Sequence, residues 1–197
     1  NRGNHKDAIF YSQRDRQRFL DKFLTYKSSH ALEVISWVLM DNHYHFLIKP
    51  SAEGSITNLF SKLSDSHTKY INIKYKMVGS LFQGPFQSKL VDRDEYLVHL
   101  SRYIHLNALE YFEPIPGTRR VNLTSQKWQF LLNYSWSSLK EYARGHSRLV
   151  TDKSHLLELG YFKNAKDPTK AYLDFVKDYI EKPQLATLPI PDDLLID

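Results

Sequence analysis

The chain has 197 residues, enough for one well-formed core or one core with a small appendage. Hydrophobic residues make up 42% and charged residues 25%, an ordinary globular profile, and no apolar run approaches the roughly 20 residues of a membrane span. Cysteine is absent, which excludes disulfides and thiolate-bound zinc, and 27 Lys and Arg against 22 Asp and Glu favour a polyanionic partner. The 13 Tyr and 11 Phe could serve the same partner, since rings beside basic side chains suit unstacked bases, although the core must claim many of them. No secretory signal is visible, and a cytoplasmic location is the default. The chain opens on Asn1 rather than Met, so residues upstream of it are expected.

Arg2-Gly3-Asn4 reads as a loop, the end of a strand whose beginning lies upstream, and Ile9-Phe10 as a short strand end. Ser12 can cap a helix running to about Lys27, with Phe19, Leu20, Phe23 and Leu24 as its apolar stripe. Its arginines either touch phosphate or form a solvated face. Ile35 to Met40 is an apolar, β-prone run, Asp41-Asn42 is turn chemistry, and His43 to Ile48 is a second run closed by Lys49-Pro50. This hairpin puts His43 and His45 on one face and Tyr44, Phe46 and Ile48 on the other. Two imidazoles side by side on a strand can take one metal ion, or can be ordinary strand histidines.

Glu53-Gly54 makes a loop, and Ser55 can cap a helix from about Ile56 to Met77. Its second half interleaves Lys69, Lys74 and Lys76 with Tyr70 and Tyr75, either a nucleic-acid contact or a lysine face. Gly79 ends that helix, an aromatic loop follows, and Phe86 to Val91 reads as a further strand carrying Lys89. A helix is expected from about Asp94 to Leu109. Leu97, Leu100 and Ile104 mark its core face, and Tyr96, His99, Tyr103 and Asn107 form a neighbouring polar and aromatic stripe. Glu113-Pro114-Ile115-Pro116-Gly117 breaks the chain. Beyond it Ser125 to Leu132, Trp136 to Tyr142 and Thr169 to Tyr179 look helical, and the tail from Lys182 extended. The expected organisation is a catalytic domain over 1–113, a helical appendage over 114–182 and a tail over 183–197.

Five stretches taken together carry a resemblance. Met40-Asp41-Asn42-His43-Tyr44-His45-Phe46-Leu47 resembles the signature of the HUH single-strand endonucleases. Gly79 to Phe86, Glu95-Tyr96-Leu97 and Arg102-Tyr103-Ile104-His105-Leu106-Asn107 look like its single-tyrosine transposase branch, especially the REP-associated tyrosine transposases. Asn133-Tyr134-Ser135-Trp136-Ser137-Ser138 is similar to the tail motif of that group. The resemblance implies an α+β fold, a ferredoxin-like or RRM-like antiparallel sheet with helices on one face, followed here by the C-terminal helical appendage. It implies that Tyr103 is the nucleophile and that His43, His45 and Asn107 hold a divalent metal, Mg²⁺ or Mn²⁺. The substrate it implies is single-stranded or hairpin DNA, cut through a 5′-phosphotyrosine. Arg2, Lys69, Tyr70, Lys74, Lys89 and Arg102 are the candidate DNA contacts. Pro85, where the family often has Arg, and Ala108, where it often has Pro, depart from the pattern. Tyr96 competes as nucleophile, and His99, one turn before Tyr103, is a candidate base. The appendage favours a monomer over a homodimer, and a DNA substrate a nucleoid-associated protein. Two rival readings stay open: a non-cleaving nucleic-acid-binding regulator, and a zinc hydrolase using the two histidines.

Overall fold

The structure is a computed structural model that describes residues 1–28, 30, 32–51, 56–116, 120–150 and 152–181, without the side chains of 120–122. The loop at Glu53-Gly54, the cap at Ser55, Gly117 and the tail from Lys182 lie outside the described residues. The chain folds as α+β, with an antiparallel pair of strands and helices before, between and after them.

Ser12 is extended and its Oγ accepts the Asp15 amide at 3.4 Å, which starts α1 (Gln13–Lys27). The expected hairpin forms from β1 (Leu32–Leu39) and β2 (Tyr44–Pro50), with Leu39 opposite Tyr44 and Val38 opposite His45. Both edges of the hairpin are partly covered. Residue Ser137 bridges Val38 on the outer side of β1, and Arg2 bridges His43 beside β2. The Tyr134-to-Ser138 motif therefore lies along β1, where the Leu39 amide donates to the Trp136 carbonyl at 2.8 Å. The helix expected from Trp136 starts only at Leu139, because the three residues before it follow the strand.

The Tyr44 and Phe46 face is aromatic. Phe23 of α1 stacks on Phe46 at 4.7 Å, and Phe60 of α2 (Ile56–Tyr75) meets Tyr44 and Phe46 at 6.0 and 5.6 Å. Burying each ring contributes roughly 2–3 kcal/mol. On the opposite, histidine face lies α3 (Asp94–Leu106), continued by a 3-10 turn over Asn107–Tyr111. Then come α4 (Arg120–Asn133), α5 (Leu139–Arg144), the single turn α6 (Ser154–Leu157) and α7 (Pro168–Glu181). Their buried residues Leu131, Tyr142, Leu156, Tyr172 and Val176 join the same hydrophobic core as the hairpin.

Two expectations need correcting. Phe86 to Val91 is not a strand: it is an irregular segment with Leu90 85% exposed, because no other strand offers it a hydrogen-bonding edge among the described residues. Of the expected core face of α3, Leu97, Leu100 and Ile104, only Ile104 is fully buried. The buried face is Val98, Ser101, Arg102, Ile104 and His105, while Leu97 and Leu100 are half-buried. Polar residues face inward there because partners meet them. Tyr172 of α7 donates to Ser101 at 3.0 Å and lies 2.9 Å from His105 Nδ1, and His105 Nε2 lies 2.7 Å from Ser138 Oγ.

Candidate active site

The turn ahead of His43 is fastened from three sides. The amides of Ile9 and Phe10 donate to the Asp41 carbonyl at 2.8 and 3.0 Å, and the Gly3 amide donates to Asn42 at 2.7 Å. Arg16 pairs with the Asp41 carboxylate, and the Asp41 amide donates to the Tyr111 hydroxyl. Gly3 is required at its position, since a Cβ would stand 2.0 Å from the Asp7 carbonyl oxygen. The result is a stiff mount for His43, which is 9% exposed.

His43 and His45 do share a face, with ring centres 5.0 Å apart. His43 Nδ1 lies 2.6 Å from Asn42 Oδ1 and can donate to it, which leaves the Nε2 lone pair open on the other side. That Nε2 sits 3.5 Å from Asn107 Oδ1. Asn107 is the C-cap of α3, and its amide nitrogen donates to the Tyr103 carbonyl at 2.9 Å. Its nitrogen is thereby held and its oxygen turned toward His43. Tyr103, one turn earlier, places its ring 6.1 Å from that of His45. His45 Nε2 is buried and has no hydrogen-bond partner among the described residues.

Burial keeps both imidazoles neutral. It pushes His45 down to about 3, helped by the neighbouring His43 and Arg2, and it lowers His43 despite the contact with Asn107. Neutral imidazoles offer lone pairs, so two ring nitrogens and one amide oxygen make a set that fits a divalent metal. An orphaned buried nitrogen is what such a set leaves behind when it is not paired within the protein. Among the described residues no cluster of three or more His, Asp or Glu exists, and the Asn107 amide oxygen is the further protein donor beside the His43 ring.

A cleft of about 380 Å³ runs past this group, lined by Arg2, His43, Tyr103, Asn107, Glu110 and Tyr179. A larger, mainly apolar cavity of about 780 Å³ lies on the His45 side, and Tyr103 borders both. Arg2 therefore joins the site, with its Nε buried and unpartnered among the described residues. Lys89 is exposed and borders the larger cavity. Lys69, Tyr70 and Lys74 lie elsewhere, on α2. Tyr70 donates to Asp15 at 2.9 Å, Lys74 contacts the same carboxylate at 2.5 Å, and Arg18 stacks 4.2 Å from the Tyr70 ring. Those two side chains are already engaged within the protein. Arg102 is only 5% exposed and faces α7, stacked on Phe175 and Tyr179.

Tyr96 lies outside the cleft and takes a hydrogen bond from Arg93 at 3.3 Å. His99 also points away: its Nδ1 accepts from Arg102 at 2.9 Å and its ring meets Phe175 at 5.4 Å. Two cleft residues escaped the sequence reading. Glu110 continues the Tyr103–Asn107 stripe by three residues and was legible from helical spacing. Tyr179 stands far along the chain, and no local signal points to it.

A family model described as Transposase IS200 like matches residues 2–107, more than half of the chain. The chain belongs to that family. The match spans the hairpin, both histidines, the tyrosine helix and Asn107, which is the whole group assembled above. It makes this a transposase-type protein whose partner is DNA. No curated protein and no solved structure matches the chain at a significant level. Among the described residues no helix is long and apolar enough to cross a membrane.

Proposed function

We propose that this IS200-like transposase is a metal-dependent endonuclease and strand transferase for single-stranded or hairpin DNA, including repetitive palindromes. The observation that carries the reading is that Tyr103 lines one cleft with His43 and Asn107 while its ring lies 6.1 Å from that of His45, the neighbour of His43 on the same face. Tyr103 is the nucleophile. Its oxygen bonds to phosphorus as the bond from phosphorus to the 3′ oxygen breaks. The phenolic proton ends on the released 3′-hydroxyl, and the 5′ side stays on the protein as a phosphotyrosine. The covalent link retains the energy of the phosphodiester, so resealing or transfer to a second strand needs no external source.

His43, His45 and the Asn107 amide oxygen hold the metal. The chemistry that bound Mg²⁺ or Mn²⁺ supplies is polarisation of the scissile phosphate and screening of its charge. Imidazole favours Mn²⁺ in intrinsic affinity, while Mg²⁺ is the more available ion. Arg2 borders the same cleft and offers its guanidinium to a phosphate oxygen. The free phenol has a pKa of about 10, so its proton needs an acceptor. Glu110 lines the same cleft as Tyr103, which supports it as the acceptor in this reading. The C-terminal helices occupy the flank of α3, which favours action as a monomer. A DNA substrate places the protein with the nucleoid.

The test is a cleavage reaction on labelled single-stranded hairpin DNA with Mn²⁺ or Mg²⁺, resolved on a denaturing protein gel. The expected result is a protein–DNA adduct that is absent in Tyr103→Phe. Cleavage without an adduct would point to attack by water and sink the nucleophile assignment. Binding without cleavage under either metal would favour a non-cleaving regulator.

A further inference from the structure

We propose that Tyr179, on the last helix, is a base-stacking residue of the catalytic cleft, so that the C-terminal appendage forms part of the DNA-binding site. This rests on the reading of the cleft as a single-strand DNA site. The family match ends at residue 107, and α7 lies wholly beyond it. Yet the Tyr179 ring walls the same cleft as Tyr103, His43 and Asn107.

The ring is held there by buried chemistry. The Arg102 guanidinium lies 4.9 Å from the centre of the Tyr179 ring and 4.2 Å from that of Phe175. Arg102 lies on α3 directly before Tyr103, so one residue joins the proposed nucleophile to the aromatic wall through the helix backbone. Below it, the Tyr172 hydroxyl reaches Ser101 and His105, which fixes α7 against α3 at a second point. A mounted ring of this kind loses little freedom when a base lies on it, which is what makes an aromatic platform effective.

The rest of the cleft divides the parts of a nucleotide. Arg2 supplies positive charge for the phosphate, and Tyr179 with Leu106 and Leu109 supplies apolar and aromatic surface. A volume of about 380 Å³ suits one nucleotide unit rather than a duplex. Stacking on a tyrosine tolerates any base, because every base has a π-face. The wall therefore adds affinity next to the scissile phosphate without dictating sequence.

The test uses the full chain carrying Tyr103→Phe, so that no turnover intervenes. Its affinity is measured for oligothymidylate and for an abasic deoxyribose-phosphate chain of equal length and charge. The parent is expected to prefer oligothymidylate. Tyr179→Leu is expected to lose roughly tenfold or more of the oligothymidylate affinity, from the stacking energy of one base. It should leave binding of the abasic chain unchanged, and Tyr179→Phe should behave as the parent. Equal loss for both probes would mean that Tyr179 only supports the fold, which overturns the proposal. Tighter binding by Tyr179→Leu would make the ring a plug in the cleft, and also overturns it. An adduct with hairpin DNA that survives in Tyr103→Phe and vanishes on adding Tyr179→Phe would make Tyr179 a nucleophile instead. Loss of the stacking effect with the Tyr103 adduct intact in the wild-type chain defeats this inference alone. Failure of the parent to bind either probe defeats the single-strand reading beneath it.

Discussion

Acidification should unfold this protein partly through His67, which holds the first segment of the chain against the histidine turn. His67 is 1% exposed, and its Nε2 donates to the Ile9 carbonyl at 2.8 Å. Phe10 and Phe19 pack around the ring at 4.9 and 5.1 Å, and its Nδ1 is buried with no partner among the described residues. Burial pushes the imidazole down to about 4 from its usual 6.5, against the pull of the Ile9 carbonyl. The unfolded chain therefore takes up a proton that the folded chain refuses. Stability from this group is complete above about pH 6.5 and is lost as the pH falls toward 4. Between about pH 7.5 and about pH 5.5 the loss from His67 is on the order of 1 kcal/mol.

His67→Leu removes both the titration and the hydrogen bond. At about pH 7.5 it should cost about 2 kcal/mol, because a buried carbonyl loses its donor. At about pH 5.5 the gap to the wild-type chain should shrink to about half of that, since only the parent suffers the proton penalty. His67→Gln keeps an amide donor for Ile9, so it should start closer to the parent and show the same flattened pH response. Urea unfolding followed by tryptophan fluorescence at both pH values gives the free energies. A gap for His67→Leu that stays constant or widens on acidification would refute the reasoning.

Two further outcomes follow from named contacts. Glu141 is buried and accepts from Trp37 Nε1 at 2.7 Å and from the amides of Arg148, Leu149 and Val150 at 2.7, 3.0 and 2.9 Å. Glu141→Ala strands four donors and should cost about 4 kcal/mol, measured as a shift in the urea midpoint without change of slope. Asn107→Ala should weaken Mn²⁺ binding by roughly tenfold in titration calorimetry, and Asn107→Asp should restore or exceed the parent affinity, because a carboxylate oxygen replaces the amide oxygen. Unchanged Mn²⁺ affinity in Asn107→Ala would remove Asn107 from the metal set.

Much of the hairpin and of the helix termini was written locally. Apolar, β-prone runs on either side of Asp41-Asn42 specify two strands, and the period of two places His43 and His45 on one face wherever the hairpin sits. Ser12 with Asp15 starts α1, and the spacing of Tyr103 and Asn107 sets them one turn apart. These features rest on interactions within a few residues, so they can be read without knowing the rest of the chain. The inward face of α3 could not be read that way. Ser101 and His105 look like surface residues until Ser138 and Tyr172 arrive from distant segments to satisfy them, and Arg102 until Phe175 and Tyr179 cover it. For the same reason Phe86 to Val91 has strand propensity but forms none: a strand needs a partner edge, and pairing is a tertiary event. Lys74 and Tyr70 looked free to meet DNA, and only packing shows that Asp15 already holds them. Tyr179 reaches the cleft solely because α7 docks on α3, a contact between segments too far apart in the chain for any periodicity to encode.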